Sequence, residues 1–374
     1  MATIQTINIG ASANDNTGDP LRTAFDKQNQ NNTALNNELI TKAPLANPNF
    51  STDINVNTVK LGLGNNGLAN NTVVGNGSGV VITTANFCSL FGNYAGLKLT
   101  TGANNSFFGH GAGAQNTTGF SNTFIGQAAG SSNIIGNGNT FIGQNSGQNT
   151  KSDYGTFLGY QSGFSNTTAS GNTFIGQNSG YNNNTGGFNT YIGTSSGLGT
   201  NYINGSALGY NSAITGDSQV QLGNSSTTTY VYGTVQNRSD SRDKADIKDT
   251  VLGLDFISKL RPVDYRWDMR EDYKTELPIQ GELSDEDFKI KMDLWLENNK
   301  LANLKQDGSK IRNRFHHGFI AQEIRDLGID FGGFQDHSLK GGEDVLSIGY
   351  DEFIAPMIKA IQELKAEIEL LKMK

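Results

Sequence analysis

The 374-residue chain holds one cysteine, four histidines, no long apolar run and no excess of positive charge. With Cys88 alone, neither an internal disulfide nor a zinc site of clustered thiolates can form. No stretch approaches the ~18 apolar residues that a membrane span needs. Met1–Asp15 lacks a charged segment followed by an apolar one, so no secretory signal is expected. Lys and Arg number 28 against 35 Asp and Glu, and without a basic stripe to displace counterions no nucleic-acid partner is expected. The adjacent pair His316 and His317 resembles a ligand pair, but neighbours along a strand point to opposite faces, so no metal is expected there. No glycine-rich phosphate loop stands apart from a repeat described below, and no cofactor is expected.

The formal charge of −7 is unevenly spread. Residues 1–238 hold seven basic and seven acidic residues; residues 239–374 hold 21 and 28 and therefore carry the whole imbalance. Glycine divides the other way, with 37 of 47 before position 239. A boundary near 239 is thus written into composition alone.

What fills the first part is a repeat. Phe107-Phe108-Gly109 recurs as Phe124-Ile125-Gly126, Phe141-Ile142-Gly143, Phe157-Leu158-Gly159, Phe174-Ile175-Gly176, Tyr191-Ile192-Gly193 and Ala207-Leu208-Gly209. The registered glycines stand at 75, 92, 109, 126, 143, 159, 176, 193 and 209, a period of 17 with 16 appearing twice. Units of Asn, Thr, Ser and Gly around two or three apolar residues do not make helices. They predict short strands ended by glycine turns, one solenoid turn per repeat, about 40 Å long in eight steps. The glycine after the apolar pair marks a corner with positive φ or a close approach to a neighbouring chain. Asn and Thr are expected in turns, with Asn ladders down a face. About three apolar residues per unit cannot offset the ordering of some 17, so a lone chain is expected to be unstable and a trimer to be the remedy. In residues 68–228, whose last units shorten to a spacing of 14, the repeat resembles the head of trimeric autotransporter adhesins, which implies a trimeric parallel β-roll. Tyr160, Tyr181, Tyr191, Tyr202 and Tyr210 are candidates for stacking on sugars or for packing on their own rungs.

Before the repeat, Ile7-Asn8-Ile9-Gly10 predicts a strand, and Asp19-Pro20 opens a helix. Leu21, Phe25, Gln28, Asn32, Leu35 and Leu39 form a short coiled-coil seam, with two polar members setting register. The alternative is an ordinary amphipathic helix. The stretch is similar to the start of many phage tail-fibre and baseplate-attached proteins, which implies a virion-anchoring end.

Beyond 239 the pattern is that of a globular α+β domain. A helix is expected from Thr250 to Leu260, a strand over Val263–Trp267 and another helix starting at Phe319. Residues 268–314 form a charged insertion with one helix, capped at Ser284 and carrying Phe288, Met292 and Trp295 on one face, expected as local packing. In the final segment, 351–374, Ile354, Ile361 and Ile368 alternate with Met357, Leu364 and Leu371 as a and d positions of a trimer coiled coil.

Four ordered blocks carry a second resemblance: Ser239-Asp240-Ser241-Arg242-Asp243-Lys244; Leu260-Arg261-Pro262-Val263-Asp264-Tyr265-Arg266-Trp267; His317-Gly318-Phe319-Ile320-Ala321-Gln322-Glu323; and Tyr350 with Ile354-Ala355-Pro356-Met357 and Ile361-Gln362-Glu363-Leu364. Together they resemble the C-terminal intramolecular chaperone of phage tailspikes and tail fibres, the endosialidase type. The resemblance implies a domain that trimerises, templates the fibre before it and then releases itself by autoproteolysis. It places the nucleophile on Ser239, the general base on Lys244 and the scissile bond at Ser239–Asp240. A serine hydroxyl needs such a base, and a lysine serves only where burial or nearby cations lower its pKa. Arg242 is expected to brace the strand or to stabilise the developing oxyanion. Ser241, which heads a Ser-x-x-Lys string, is the rival nucleophile.

The expected organisation is an attachment segment over 1–45, a trimeric β-solenoid shaft and receptor-binding region over 46–238, and the chaperone over 239–374. The expected function is that of a homotrimeric tail fibre, joined to the phage tail or baseplate through its N-terminus. It binds a host-surface glycan or outer-surface protein, and resides on the virion after assembly in the host cytoplasm. One alternative is a depolymerase of host polysaccharide. It is disfavoured because Asp153 and Asp217, the only carboxylates between Ile54 and Arg238, lie roughly 19 Å apart at the solenoid rise, beyond the ~5–9.5 Å a glycosidase pair requires. The other alternative is a bacterial trimeric adhesin.

Overall fold

A computed structural model describes residues 23, 26–34, 54–56, 59–63, 70–199, 201–232, 235–278 and 283–374. Contacts divide the chain into two units, Met1–Ile54 and Asn55–Lys374. In the first unit, residues 26–34 form a helix, α1, in which the Gln28 amide donates to Asn32 Oδ1 at 3.2 Å, one helical turn on. The strand expected at Ile7–Gly10, the Asp19-Pro20 start and the seam positions Leu21, Phe25, Leu35 and Leu39 lie outside the described residues.

The expected solenoid is present. After β1 (Ile54–Val56) and β2 (Val59–Gly62), ten three-residue strands run from β3 (Thr72–Val74) to β12 (Val220–Leu222), each pairing in parallel with the next in chain order. Before them, β2 and β3 pair antiparallel. Because side chains alternate along a strand, the middle residue of each points inward. Val73, Leu90, Phe107, Phe124, Phe141, Phe157, Phe174, Tyr191 and Ala207 form one buried column. Within it, the rings from Phe107 to Tyr191 stack at 4.7–5.0 Å with planes 4–9° apart, the ~4.8 Å spacing of neighbouring strands.

A second column is polar, and it runs through the interior rather than down an outer face. Asn71, Asn105, Asn122, Asn139, Asn172 and Asn189 are buried. Asn122 shows their use: its amide donates to the Gly136 carbonyl (2.8 Å), and its Oδ1 accepts the N–H of Asn139 (3.0 Å). Each such residue ties its own turn to the next and satisfies a buried backbone group on it. Cys88 occupies the same column, its N–H bonded to Asn71 Oδ1, and burial pushes its thiol above the ordinary range. The one cysteine is thus a packing residue.

The registered glycines are corners with φ between 119° and 139°. The close approach is to the next turn of the same chain: a Cβ at Gly126 would stand 2.5 Å from the Gly143 carbonyl oxygen. A second left-handed corner carries ordinary residues, namely Phe87, Asn104, Ser121, Tyr154, Phe188, Asn204 and Ser218, at φ of 55–60°. There the backbone N–H reaches the preceding turn, as from Ser121 to Ala103 (3.0 Å). Asn and Ser tolerate this conformation; the aromatic members are strained by it.

In the C-terminal region the helices expected after Thr250 and after Phe319 are α2 (Leu254–Lys259) and α4 (Ala321–Asp326), and β13 (Val263–Arg266) pairs antiparallel with β14 (Phe315–Gly318). Phe256, Ile324, Phe331 and Phe353 make a small core. The Tyr350 hydroxyl accepts the Phe319 N–H at 3.2 Å, and Glu363 of α5 (Ile354–Lys372) accepts the N–H of Leu254 at the start of α2. Three of the four recognised blocks therefore meet in one folded body. His316 and His317 point apart: His316 stacks on Tyr265, while His317 Nδ1 lies 2.6 Å from Asp264. The helix capped by Ser284 is α3 (Asp285–Asn298), with the cap oxygen accepting the Asp287 N–H. Its apolar face packs on Leu277 and Leu283 of the insertion, as expected, and reaches beyond it. It lies on Phe164 and Tyr181 of the shaft.

The region also grips the end of the shaft. His337 Nδ1 sits 2.7 Å from Thr215 Oγ1 and 2.9 Å from Gln219 Nε2. Gln219 Oε1 accepts the Thr215 N–H, which fixes the amide so that its NH2 faces His337. Nδ1 must therefore be bare and Nε2 donates to Ser347 Oγ at 2.9 Å.

Two outcomes follow for thermal melting. Gly126→Ala, with a backbone clash, should cost at least about 3 kcal/mol, whereas Gly111→Ala, at φ 68° with open space around it, should cost about 1–2 kcal/mol; equal costs would contradict the inter-turn approach. Burial holds His337 below the usual imidazole range against the opposing pull of Asp336. The unfolded chain therefore takes up the proton first, and this joint is fully stable above about pH 6.5 and weakens as pH falls below it. His337→Gln should lose less melting temperature than the parent between about pH 7 and about pH 5.5; an equal loss in both would refute the role.

Candidate functional site

The Ser239–Lys244 stretch folds as a tight turn built on short-range charge. Asp240 caps the 3-10 helix Ser241–Asp243, its carboxylate accepting the Arg242 backbone N–H at 2.9 Å. The Arg242 guanidinium folds back onto the same carboxylate, with Nε–Oδ1 at 3.0 Å and Nη2–Oδ2 at 2.5 Å. That bond holds the Asp240 carboxyl below its ordinary range. Arg238 closes the outside through Asp243, Nε–Oδ2 2.9 Å. The turn ends where the Lys244 N–H donates to the Ser241 carbonyl, and this brings the ammonium back over the residue five positions earlier: Lys244 Nζ donates to Ser239 Oγ at 2.7 Å.

Of the two serines, Ser239 is the one the lysine side chain reaches; Ser241 enters the turn through its carbonyl. Arg242 spends its guanidinium on Asp240 and braces the turn. Ser239, Ser241 and Lys244 are all exposed. In this geometry Lys244 Nζ is the donor and Ser239 Oγ the acceptor. A lysine becomes a base when burial removes water from its charged form. In the single chain, then, Ser239 and Lys244 are in contact and both are open to water.

The other candidates fall elsewhere. Asp153 and Asp217 occupy the same corner of the turn four steps apart, and each accepts a backbone N–H from the preceding turn: Asn137 at 2.7 Å and Ile203 at 2.9 Å. Both carboxylates serve as turn acceptors. Tyr181 and Tyr191 are fully buried. Tyr202 is half-buried, its hydroxyl pushed up to about 12 by burial and then by Glu343. Tyr210 is 68% exposed. The coiled-coil positions Ile354, Met357, Ile361, Leu364, Ile368 and Leu371 line α5 and are 42–69% exposed. Among the described residues no cluster of His, Cys, Asp and Glu is placed to hold a metal, and no helix is long and apolar enough to cross a membrane.

Residue pattern alone did not reveal a second polar cluster at the shaft end. Ser225 Oγ donates to Asp272 Oδ1 at 2.7 Å, and Arg312 bonds both Asp272 (2.8 Å) and the Ser225 carbonyl. These residues come from three distant segments, and no local spacing announces them.

No curated protein and no solved structure matches the chain. The model of the family described as the chaperone of endosialidase matches residues 239–280, the stretch that begins with this turn. A chaperone-of-endosialidase match behind a β-solenoid fits an endosialidase-type tail fibre with a C-terminal chaperone domain.

Proposed function

We propose that the protein is a homotrimeric phage tail fibre whose C-terminal region templates the trimer and then cuts its own chain at Ser239–Asp240. The observation that carries this reading is the face the single chain leaves open. The third residue of each strand points out, and Phe108, Ile125, Leu158, Ile192, Leu208 and Leu222 form an apolar row 36–51% exposed along the shaft. A continuous row of this kind on a charge-poor shaft is what further copies of the same chain would cover. The exposed a and d positions of α5 have the same need at the other end.

Assembly then supplies what the dyad lacks. Chains closing over the turn remove water from Lys244, which favours its neutral amine. Ser239 Oγ attacks its own carbonyl, closing a four-membered lactone as the bond to the Asp240 nitrogen breaks; the hydroxyl proton passes to Nζ and from there to the leaving Asp240 amine, and water opens the lactone to leave Ser239 as a new C-terminus. Residues 1–45 attach the fibre to the phage tail or baseplate. The shaft, neutral and rich in amide and hydroxyl groups, meets a host-surface glycan or outer-surface protein. The use of Asp153 and Asp217 as turn acceptors favours this reading over a depolymerase.

Native mass measurement should find a species of three chains, and denaturing mass measurement a C-terminal fragment beginning at Asp240. Ser239→Ala and Lys244→Ala should abolish the fragment and leave the trimer, while Ser241→Ala should leave both. Full-length chain under folding conditions would overturn the cleavage. A fragment beginning at Ser239 would move the attack to the preceding carbonyl.

A further inference from the structure

One column of the shaft changes character along its length. The residue after the left-handed glycine of each turn is Ala114, Ser131 and Gln148 in successive turns, then Phe164, Tyr181 and Leu198. Val80 and Leu97, at the far end, make the column apolar there as well. Phe164 and Tyr181 stack at 4.9 Å with their planes 1° apart. Aromatic rings on the outer corners of other turns stay open to water, Tyr154 at 67% and Phe188 at 73%, yet Phe164 and Tyr181 are 2% and 0% exposed.

The cover is α3. Phe288 meets Tyr181 edge to face at 5.8 Å, and Phe288 and Met292 are themselves buried in the contact. Trp295 and Leu296 extend it to Leu198, and a side chain at Gly199 would collide with Leu296. The Asn182 amide adds a bond to Asp293, 3.3 Å. The shaft thus changes from small and polar to large and apolar over the three turns that α3 spans. The charged insertion that carries α3 presents to those turns the Phe, Met and Trp face noted in its sequence.

We propose that α3 is a hook that keeps the C-terminal piece on the shaft after the chain is cut; this rests on the cutting proposed above. None of the contacts passes through the 239–240 bond. The α3 face, the Arg312–Asp272–Ser225 cluster and the His337–Thr215–Gln219 joint all link residues beyond 240 to residues before 226. Scission turns one tethered contact into an association between two pieces, and in a trimer three such contacts would act together. An uncovered Phe164–Tyr181–Leu198 strip would be an exposed apolar patch of three adjoining turns. Cutting and parting are therefore separate events, and parting requires a force or ligand that lifts α3.

The test uses the full chain with an N-terminal affinity tag in two forms: the parent, which cuts itself, and a Ser239→Ala variant with a site-specific protease sequence in place of the exposed residues 235–238. After cutting, the C-terminal fragment should co-elute with the tagged shaft in equal amount in both forms. Phe288→Ser with Met292→Ser should lower the retained fraction by roughly tenfold or more, the scale of losing buried anchor residues, with the shaft's melting unchanged. The single change Met292→Glu provides a second, independent reading. If cut, unmodified pieces part on elution, or if the α3 variants hold as well as the parent, the hook is refuted. If the parent does not cut itself, the cutting proposal fails while the protease-cut form still decides the hook.

Discussion

Each turn of this shaft depends on its neighbours for most of the bonds it makes. A turn buries one large side chain on the strand column, and that ring lies flat against the same ring one turn away. Its buried Asn both donates its amide to the next turn and accepts an N–H from it. Its corner glycine has no room for a Cβ because another turn's carbonyl occupies the space. Little of this stabilises a turn in isolation. In-register stacking is therefore the condition for the fold, and the first turn to form has nothing to stack on.

That condition gives the C-terminal region a physical task. It has a core of its own around Phe256 and Phe353. It touches the shaft at its last turns, through Thr215, Gln219 and Ser225, and along three turns through α3. In the proposed function this region folds first and presents a fixed surface to the last turns, which would supply the missing neighbour. The Ser239–Lys244 turn follows the shaft with both side chains in contact and exposed.

Much of this was legible in the residues. The 17-residue period, the glycine corners, the Ser284 cap, the strand at Val263 and the final helix all rest on local spacing, and the folded chain has them. What escaped was non-local. The left-handed corner filled by Phe87, Tyr154 and Phe188 escaped because aromatic residues do not advertise that conformation. The Asn ladder was expected down a face and lies inside, where amides serve because each buried oxygen and NH2 has a backbone partner one turn away. The face of α3 was read as local packing. Its further partner on the shaft is more than a hundred residues away, and only the change from Gln148 to Phe164 hinted at it.

The central claim is that the shaft does not assemble without the region after residue 238. Producing residues 1–238 alone, beside the full chain, tests it most directly by the oligomeric state of the soluble fraction. The account predicts insoluble or unassembled shaft from the short chain and soluble trimers from the full one. Soluble, β-rich trimers from residues 1–238 would contradict it.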